Sequence, residues 1–543
     1  MNNEDTQKRM LIFFVAVSVL MFGYAIFSNY LFPSNKSENT QTQQVVEEKV
    51  NNTSIEKKVS SSNNETKENQ PEVEQKTTVI HSTGSFDLLL NTQRISADDL
   101  KDVVKIENEE GYIEFSKVGG RVISIYLKRY KFDVISEFAK NNRIFPTEII
   151  TSDPNVTKLI NFSKYEFSKD GKNLIFKLTK GNIQIEKIFT IKKEGDISLK
   201  VKTKGLENLN LALIDGISLV GTGSYGHSGA IIKTKTDLIK LDSDIEREEI
   251  IRGQILWAGT ENKYFMQIFA NRTPLSTVHV IPVAEETTVT LTEIPTTIDG
   301  FFFGGPKLYS LLGELTAKYQ KLWNVNLALR DTINFGFFGI LGKPLFLLLH
   351  FFYNFIPNWG IAIILVTILI RILFFPLNHK SLKSMKKMAD LAPEIEKLRK
   401  KYAKDPQKLQ AEIMKLYSEA GANPMSGCLP IVVQIPVFIA LYNVLMVTVE
   451  LKNIPFLWIP DLSDKDPYYI LPILMGLSMI AQQWITPSSD KNQKMIMYVM
   501  AGVFTFLFMN FPAGLVLYWL TNNILGIGQS FLINKQMGRY KKS

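Results

Sequence analysis

The apolar residues of this chain are gathered into long runs, one near the N-terminus and several in the last third of the sequence. Apolar runs of about 20 residues with few charges match the length of a helix that crosses a bilayer. We therefore predict six membrane spans. They cover residues 10–27, 358–377, 428–449, 468–485, 495–509 and 514–533.

A different pattern fills the region between the first two predicted spans. Between residues 85 and 330, apolar and polar residues alternate in short runs that turn residues separate. Alternation with a period of two is typical of strands with one buried face. The pattern predicts a large antiparallel β-sandwich domain. Its clearest strands are residues 112–115, 122–126, 174–178, 197–201 and 288–292.

Two flanking regions have weaker patterns. Residues 31–84 are dominated by Ser, Asn, Thr, Gln, Glu and Lys. Such a composition buries too little apolar surface to offset chain entropy, so we predict a disordered tether. Residues 331–357 are apolar enough to suggest a seventh span, but Lys343, Pro344 and His350 interrupt them. A span here would reverse the membrane orientation of every later segment, so we predict an interfacial amphipathic helix.

Charge sets the predicted orientation. The net charge is 62 − 53 = +9, yet residues 86–325 carry 32 basic and 31 acidic residues. Residues 377–425 carry 11 basic against 6 acidic residues, and the tail, residues 534–543, carries 4 basic and no acidic residues. Because Lys and Arg accumulate in short cytoplasmic segments, we expect both termini in the cytoplasm. Residues 1–30 then form a cytoplasmic stub and uncleaved anchor, and residues 31–357 lie outside.

Signals for other kinds of chemistry are sparse. Cys428 is the only cysteine, so no internal disulfide forms, and the five histidines lack the spacing of metal ligands. The G-x-G-x-x-G match at residues 221–226 is not followed by a sustained helix, so we predict a β-turn there. We expect no metal, no cofactor, no enzymatic site and no specific binding of nucleic acid.

Residues 378–427, between the second and third predicted spans, are expected to form a cytoplasmic helical hairpin. Apolar residues recur every three or four positions in both arms, which predicts an apolar seam. Asp405 and Pro406 supply an N-cap and a first-turn proline for the second arm. The basic outer face is either solvated surface or a docking site for an acidic partner. Its candidate contact residues are Lys383, Lys386, Lys387, Arg399 and Lys400.

Arg371 is the principal candidate for function, because it is the only charged residue in the span 358–377. An ionisable group at that depth is a functional-site hypothesis, although an arginine that snorkels to the headgroups is the alternative. Polar groups in a bilayer need partners or water, and amides are scattered through the other spans. We therefore predict a water-filled groove, open to the cytoplasm, that attracts acidic guests. The other candidate groove residues are Thr367, Gln434, Tyr518 and Asn522.

Several short motifs follow one another in the last third of the chain. They are N-P-M-S-G-C-L-P at 423–430, Q-I-P at 434–436 with A-L-Y at 440–442, D-P-Y-Y-I-L-P at 466–472 and F-P-A-G-L-V-L-Y at 511–518. Residues 333–540 thereby resemble the YidC/Oxa/Alb family of membrane protein insertases. The anchor, tether and β-domain look like the Gram-negative form of that family. This resemblance implies a five-helix insertase core plus anchor, with an extracytoplasmic antiparallel β-supersandwich and a cytoplasmic hairpin.

The resemblance also implies a function. Members of the family insert and help fold nascent inner-membrane proteins without ATP, alone or with the Sec translocon, through a groove open to the cytoplasm and inner leaflet. Arg371 matches the groove arginine of the family, Thr367 its neighbour, and Tyr518 the last-span tyrosine implicated in substrate contact. The implied partners are nascent membrane proteins, the Sec translocon, membrane lipids and the ribosome. Ribosome binding is expected to be weak, because the basic tail, residues 534–543, is short.

Two other function classes are weaker interpretations of the same sequence. A secondary transporter usually shows an inverted repeat and paired intramembrane charges, and we find neither. A membrane-anchored envelope protein that processes saccharides would show convergent carboxylates or histidines in the β-domain. Sequence reasoning locates no such set.

Overall fold

A computed structural model describes the chain in several stretches. They are residues 78–81, 86, 88, 101–219, 227–335, 339–422, 429–485 and 491–540. The predicted anchor, most of the predicted tether and the predicted turn at 221–226 lie outside the described residues.

Seventeen strands among the described residues form two antiparallel sheets. The smaller sheet contains β2 (Val103–Glu107), β3 (Gly111–Ser116), β4 (Arg121–Leu127) and β5 (Phe132–Asp133). The larger sheet contains β1 (Thr78–His81), β6 (Ile149–Thr151), β7 (Glu166–Asp170), β8 (Asn173–Lys180), β9 (Ile183–Ile191), β10 (Ile197–Lys204), β11 (Leu211–Ile217), β12 (Gly229–Thr234), β13 (Leu238–Asp242), β14 (Glu249–Glu261), β15 (Phe265–Ala284), β16 (Thr287–Glu293) and β17 (Thr297–Pro306). The five strands predicted from alternation lie within β3, β4, β8, β10 and β16, so those predictions are confirmed.

The main apolar core lies between the two sheets. Alternating residues of β10, including Ile197 and Leu199, are buried, as its period of two predicts. Phe115 of the smaller sheet packs against Phe189 of the larger one, with ring centroids 5.0 Å apart. The prediction of an antiparallel β-domain is therefore confirmed.

Among the described residues, three helices belong to the β-domain. They are α1 (Glu137–Asn142), α2 (Pro154–Phe162) and α3 (Tyr309–Trp323). The last of these covers a second apolar cluster, where Tyr319 stacks on Phe301 of β17 at 4.0 Å. Its neighbour Phe302 points into the main core, so β17 carries apolar side chains on both faces.

One strand comes from the predicted tether. Thr78–His81 pairs with β14, with Thr78 opposite Arg252. Residues 78–80 are Thr, Val and Ile, which favour strands. The polar average over residues 31–84 concealed this short β-branched run, so the tether prediction is wrong at its C-terminal end.

The C-terminal half is helical. Its helices are α4 (Gly339–Phe355), α5 (Trp359–Leu373), α6 (Phe375–Asp390), α7 (Ala392–Lys401), α8 (Pro406–Glu419), α9 (Leu429–Val447), α10 (Ile470–Ile485), α11 (Lys491–Phe508) and α12 (Ala513–Tyr540). Helix α12 packs against α10 and α5, and α9 packs against α4. None of the described helices alone meets a combined length and hydropathy test for a membrane crossing, but α5 and α6, bent by 62°, meet it as a pair.

Three helix boundaries differ from the sequence predictions. The span 358–377 is broken at Phe374, because Pro376 has no N–H to continue the helix, and the hairpin already begins at Phe375. The first hairpin arm is two helices, α6 and α7, which meet at Leu391, two residues before Pro393. The predicted tail, residues 534–543, continues α12 as far as Tyr540.

Other local predictions agree with the structure. The Asp405 carboxylate accepts a hydrogen bond from the backbone N–H of Lys408 at 3.0 Å, so it caps α8 as predicted. Residues 331–357, predicted as an interfacial amphipathic helix, contain the helix α4 with Pro344 inside it, and its place at an interface stays a prediction.

The β-domain meets the helices at the segment after α9. Val449 joins the main core of the β-domain. The Glu450 carbonyl accepts a hydrogen bond from the Arg129 guanidinium at 3.2 Å, and its carboxylate lies 3.5 Å from His350 of α4. One short segment thus contacts both parts of the chain.

A histidine between two carboxylates cross-links strands of the β-domain. The imidazole of His279 is 3% exposed and contacts Glu248 at 2.8 Å and Glu293 at 2.9 Å. Burial alone would lower the pKa of His279, but hydrogen bonds to Glu293 and Glu248, with their charges, raise it above its ordinary value. The protonated imidazolium therefore favours the folded state.

This pKa gives a pH dependence of stability. A raised folded pKa contributes stability that is fully present below the unfolded value, about 6.5, and is lost as pH rises through the folded value. We expect the unfolding temperature of the β-sheet to fall between pH 6 and pH 9 more steeply in the natural protein than in His279→Gln. The unfolding temperature is measured from the loss of the β-sheet amide I band when the full chain is heated in detergent. Equal slopes in the two proteins would contradict this role of His279.

Candidate functional site

Helix α5 carries Arg371 at the end of an otherwise uncharged segment. The helix begins after Asn358, whose side-chain oxygen accepts a hydrogen bond from the Ile361 N–H at 3.1 Å. It ends at Leu373, two residues beyond Arg371 and just before the Pro376 break. The guanidinium therefore lies at a bend between two helices, where side chains from other helices can approach it.

One amide group contacts the Arg371 guanidinium. Its Nη1 donates a long hydrogen bond, 3.4 Å, to the side-chain oxygen of Asn522 on α12. Its Nε has no hydrogen-bond partner in the part of the chain that the structure describes. No carboxylate among those residues lies within ion-pair distance of Arg371. The positive charge is thus half-buried without a described counter-ion.

The guanidinium borders a cleft between helices. The space between its lining side chains is about 260 Å³, a volume that includes open solvent. It is lined by Ile370, Arg371, Phe374, Leu377, Asn378, Val433, Gln434 and Asn522. Apolar and polar groups from α5, α6, α9 and α12 therefore meet at one opening, and the cation is the charged group on its wall.

Three of the five predicted groove residues line the cleft, and the other two are buried beside it. Arg371, Gln434 and Asn522 line the cleft. Tyr518 lies beside Gln434 and Arg371, but its side chain is buried. Thr367 is buried one turn before Arg371, and its hydroxyl donates to the carbonyl of Ile363 at 2.7 Å. Thr367 satisfies its hydrogen bond within its own helix and is not among the lining residues.

Sequence reasoning missed two residues of this site. Asn378 lines the cleft from α6, seven residues after Arg371. Spacing along one helix could not have identified Asn378, because the bend between α5 and α6 separates it from Arg371. Gly526 lies beneath the guanidinium on α12, one turn after Asn522. A glycine without a side chain offers no chemical signal in the sequence.

The five basic residues predicted on the hairpin fall into two groups. Lys383, Arg399 and Lys400 are exposed. Lys386 donates to the carbonyl of Asn534 on α12 at 3.4 Å, and Lys387 donates to the carbonyl of Ala420 at 3.3 Å. The second group ties the base of the hairpin to α12 and to the end of α8, so only the first group is presented outward.

The β-domain does contain histidine and carboxylate clusters, contrary to the sequence analysis. His279 lies between Glu248 and Glu293, and His227 contacts Glu261 at 3.0 Å. Both nitrogens of each imidazole are occupied within the domain, since the second nitrogen of His227 contacts the Leu241 carbonyl. These clusters were invisible in sequence because their members lie 14 to 34 residues apart. Their saturated bonding is typical of structural cross-links.

Comparisons with known proteins agree with this architecture. The family model for the 60Kd inner membrane protein matches residues 351–541, and that for the YidC periplasmic domain matches residues 103–348. The membrane protein insertase YidC of Aquifex aeolicus is 35% identical over 98% of this chain and 97% of its own length. The protein of the same name in Campylobacter jejuni is 32% identical over the same shares of the two chains.

A solved structure is also similar. The crystal structure described as an active YidC insertase with its first transmembrane domain resolved aligns with 81% of this chain and 94% of its own chain. Its sequence identity is 20% and its TM-score is 0.42. The family matches and the two relatives identify the chain independently of that alignment. The expected insertase family is confirmed: this chain belongs to the YidC family of membrane protein insertases, inner-membrane proteins with a periplasmic domain that are not enzymes.

Proposed function

We propose that this chain inserts nascent inner-membrane proteins by admitting their polar segments into the cleft beside Arg371. The observation that supports this most directly is a half-buried cation that has no described carboxylate partner and faces an opening. A buried charge without a counter-ion is costly, so it needs water or a transient anion. A translocated segment with acidic residues can supply that anion for as long as it passes.

The physical advantage is a shorter apolar path. A charged residue at the centre of a membrane helix costs about 2.5 to 3.5 kcal/mol on insertion scales. A hydrophilic cleft that extends part of the way into the bilayer removes part of that barrier. The hydrophobicity of the client segment can then drive the remaining transfer, so no nucleotide is required.

The proposed topology has six spans with both termini in the cytoplasm. Five spans form the insertase core around α5, α9, α10, α11 and α12, and residues 10–27 form the anchor. Helix α4 would lie along the outer interface, since Leu347, Phe351 and Phe355 are exposed on it. Residues 31–357 would be periplasmic, with the β-domain arranged as a supersandwich. The neutral β-domain and the basic hairpin support this orientation.

The Sec translocon and the ribosome are proposed partners. The exposed residues Lys383, Arg399 and Lys400 give the hairpin a positive face, which suits the phosphates of ribosomal RNA without reading a sequence. The exposed apolar faces of the helices suit membrane lipids.

Charge at Arg371 should determine which clients depend on the cleft. We expect Arg371→Ala to reduce insertion of a client with acidic translocated residues about 10-fold more than that of a neutral client, because one close charge pair supplies that scale of energy. Arg371→Lys should restore part of the loss, since it keeps the charge. Insertion into proteoliposomes, scored by protease protection, measures both. Equal losses for the two clients would refute the electrostatic role.

The cleft should be reachable by water-soluble reagents. In a Cys428→Ser background, Gln434→Cys should react with a membrane-impermeant thiol reagent applied to inside-out vesicles. Ala440→Cys is the matched control, because Ala440 lies on the same helix, α9, and is fully buried. We expect labelling at least about 10-fold faster at residue 434, as for an accessible thiol. Equally slow labelling at both positions would mean that the cleft is dry.

The two groups of hairpin residues should behave differently. Replacing Lys383, Arg399 and Lys400 with Ala should weaken ribosome binding about 10-fold at low salt, because phosphate contacts dominate such affinity. Replacing Lys404, Lys408 and Lys415 removes the same charge from other exposed positions and is the control.

Lys387→Ala should instead loosen the base of the hairpin, where Lys387 bonds the carbonyl of Ala420. Sedimentation with ribosomes and limited proteolysis distinguish these effects. An equal loss of binding in the two triple variants would show that charge alone, and not the outward group, is responsible.

A further inference from the structure

A glycine on α12 lies directly beneath the Arg371 guanidinium. A Cβ atom built on Gly526 would overlap Nη2 of Arg371 and would come within 3.1 Å of the side-chain nitrogen of Gln482 on α10. Real Cβ atoms do not approach other atoms so closely, so the guanidinium occupies space that any other residue would fill. Helices α5, α10 and α12 therefore meet at this point.

Backbone geometry does not explain the glycine. Gly526 lies within the helix Ala513–Tyr540 and has no positive φ, so any residue could adopt its conformation. Glycine inside a helix costs about 1 kcal/mol relative to alanine. The space taken by Arg371 is the feature of the structure that requires a residue without a side chain here.

Asn522 and Gly526 lie beside the two terminal nitrogens of the guanidinium. They lie four residues apart and so share one face of α12. Asn522 accepts the hydrogen bond from Nη1, and Gly526 leaves room for Nη2 against the helix. Together they determine where the charge lies on the cleft wall.

We propose that Gly526 is a positioning residue for the Arg371 guanidinium, whose missing side chain lets the cation lie against α12 beside Asn522. The inference rests on the proposed function of the cleft. An alanine would displace the guanidinium from Asn522, since the group that must move is the free end of a flexible side chain. Helix α12 itself would be retained and would gain helical propensity.

Gly528 provides a matched control. It lies two residues further along the same helix, and a Cβ built on it would meet nothing within 4 Å. Gly526→Ala and Gly528→Ala therefore gain the same helical propensity but differ in whether they move Arg371. A difference between the two variants reports the position of the cation.

The experiment compares insertion of acidic and neutral clients by the full chain in proteoliposomes. We expect Gly526→Ala to reduce insertion of the acidic client about 5-fold relative to Gly528→Ala, the scale set by loss of one ordinary hydrogen bond. The neutral client should be affected less. In an Arg371→Ala background, Gly526→Ala should add no further loss of acidic-client insertion, because no guanidinium remains to be displaced.

Three results would overturn the inference. Equal activity of Gly526→Ala and Gly528→Ala would mean that the glycine does not place the charge. An additional loss in the Arg371→Ala background would mean that it acts through helix packing. If Arg371→Ala reduces insertion of the acidic and the neutral client equally, the proposed function of the cleft is itself contradicted. If Arg371→Ala reduces insertion of the acidic client more than that of the neutral one, but Gly526→Ala has no effect, only the positioning role is rejected.

A shorter cation gives a second test if Gly526→Ala reduces the amount of folded protein. Lysine lacks the Nη2 atom that the new methyl group would displace. Gly526→Ala should therefore be better tolerated, in both protein yield and acidic-client insertion, with Arg371→Lys than with the natural arginine. The same loss in both backgrounds would reject the steric relationship.

Discussion

The helical half of the protein places a guanidinium, that of Arg371, where no carboxylate among the described residues pairs with it. A positive charge inside apolar helices is tolerated only where it meets partners, water or an opening. Arg371 meets the amide of Asn522 and borders an open cleft. The amides stabilise the cation without neutralising it, so its field still reaches whatever enters the opening. A carboxylate beside Arg371 would have neutralised its charge and weakened its attraction for an acidic segment.

The break between α5 and α6 gives this cation its surroundings. Because Pro376 ends the continuous helix, the following residues turn by 62° and carry Asn378 to the cleft. Beside this break, Gln529 of α12 donates to the Phe375 carbonyl at 3.3 Å. A kink that proline explains therefore also creates polar surface next to the charge.

The β-domain contacts this core through the segment that follows α9. Val449 enters its apolar core and Glu450 bonds Arg129. The charged clusters inside the domain, such as His279 with two glutamates, bond among its own strands. The proposed cleft lies among the helices, whereas these cross-links lie within the β-domain.

Local sequence determined the elements of this protein. The period of two identified strands such as β3 and β10, Asp405 identified the start of α8, and the isolation of Arg371 in an apolar run identified the cation. These features are short-range, because side-chain direction follows from spacing along one element.

Only the tertiary structure decided the partners of those elements. Thr367 shares a helix face with Arg371, but its hydroxyl bonds the backbone of its own helix. Asn522 and Gly526, more than 150 residues away in sequence, contact the Arg371 guanidinium instead. Spacing specifies which residues share a helix face. It does not specify how neighbouring helices are rotated against that face, because that rotation depends on packing along their whole length.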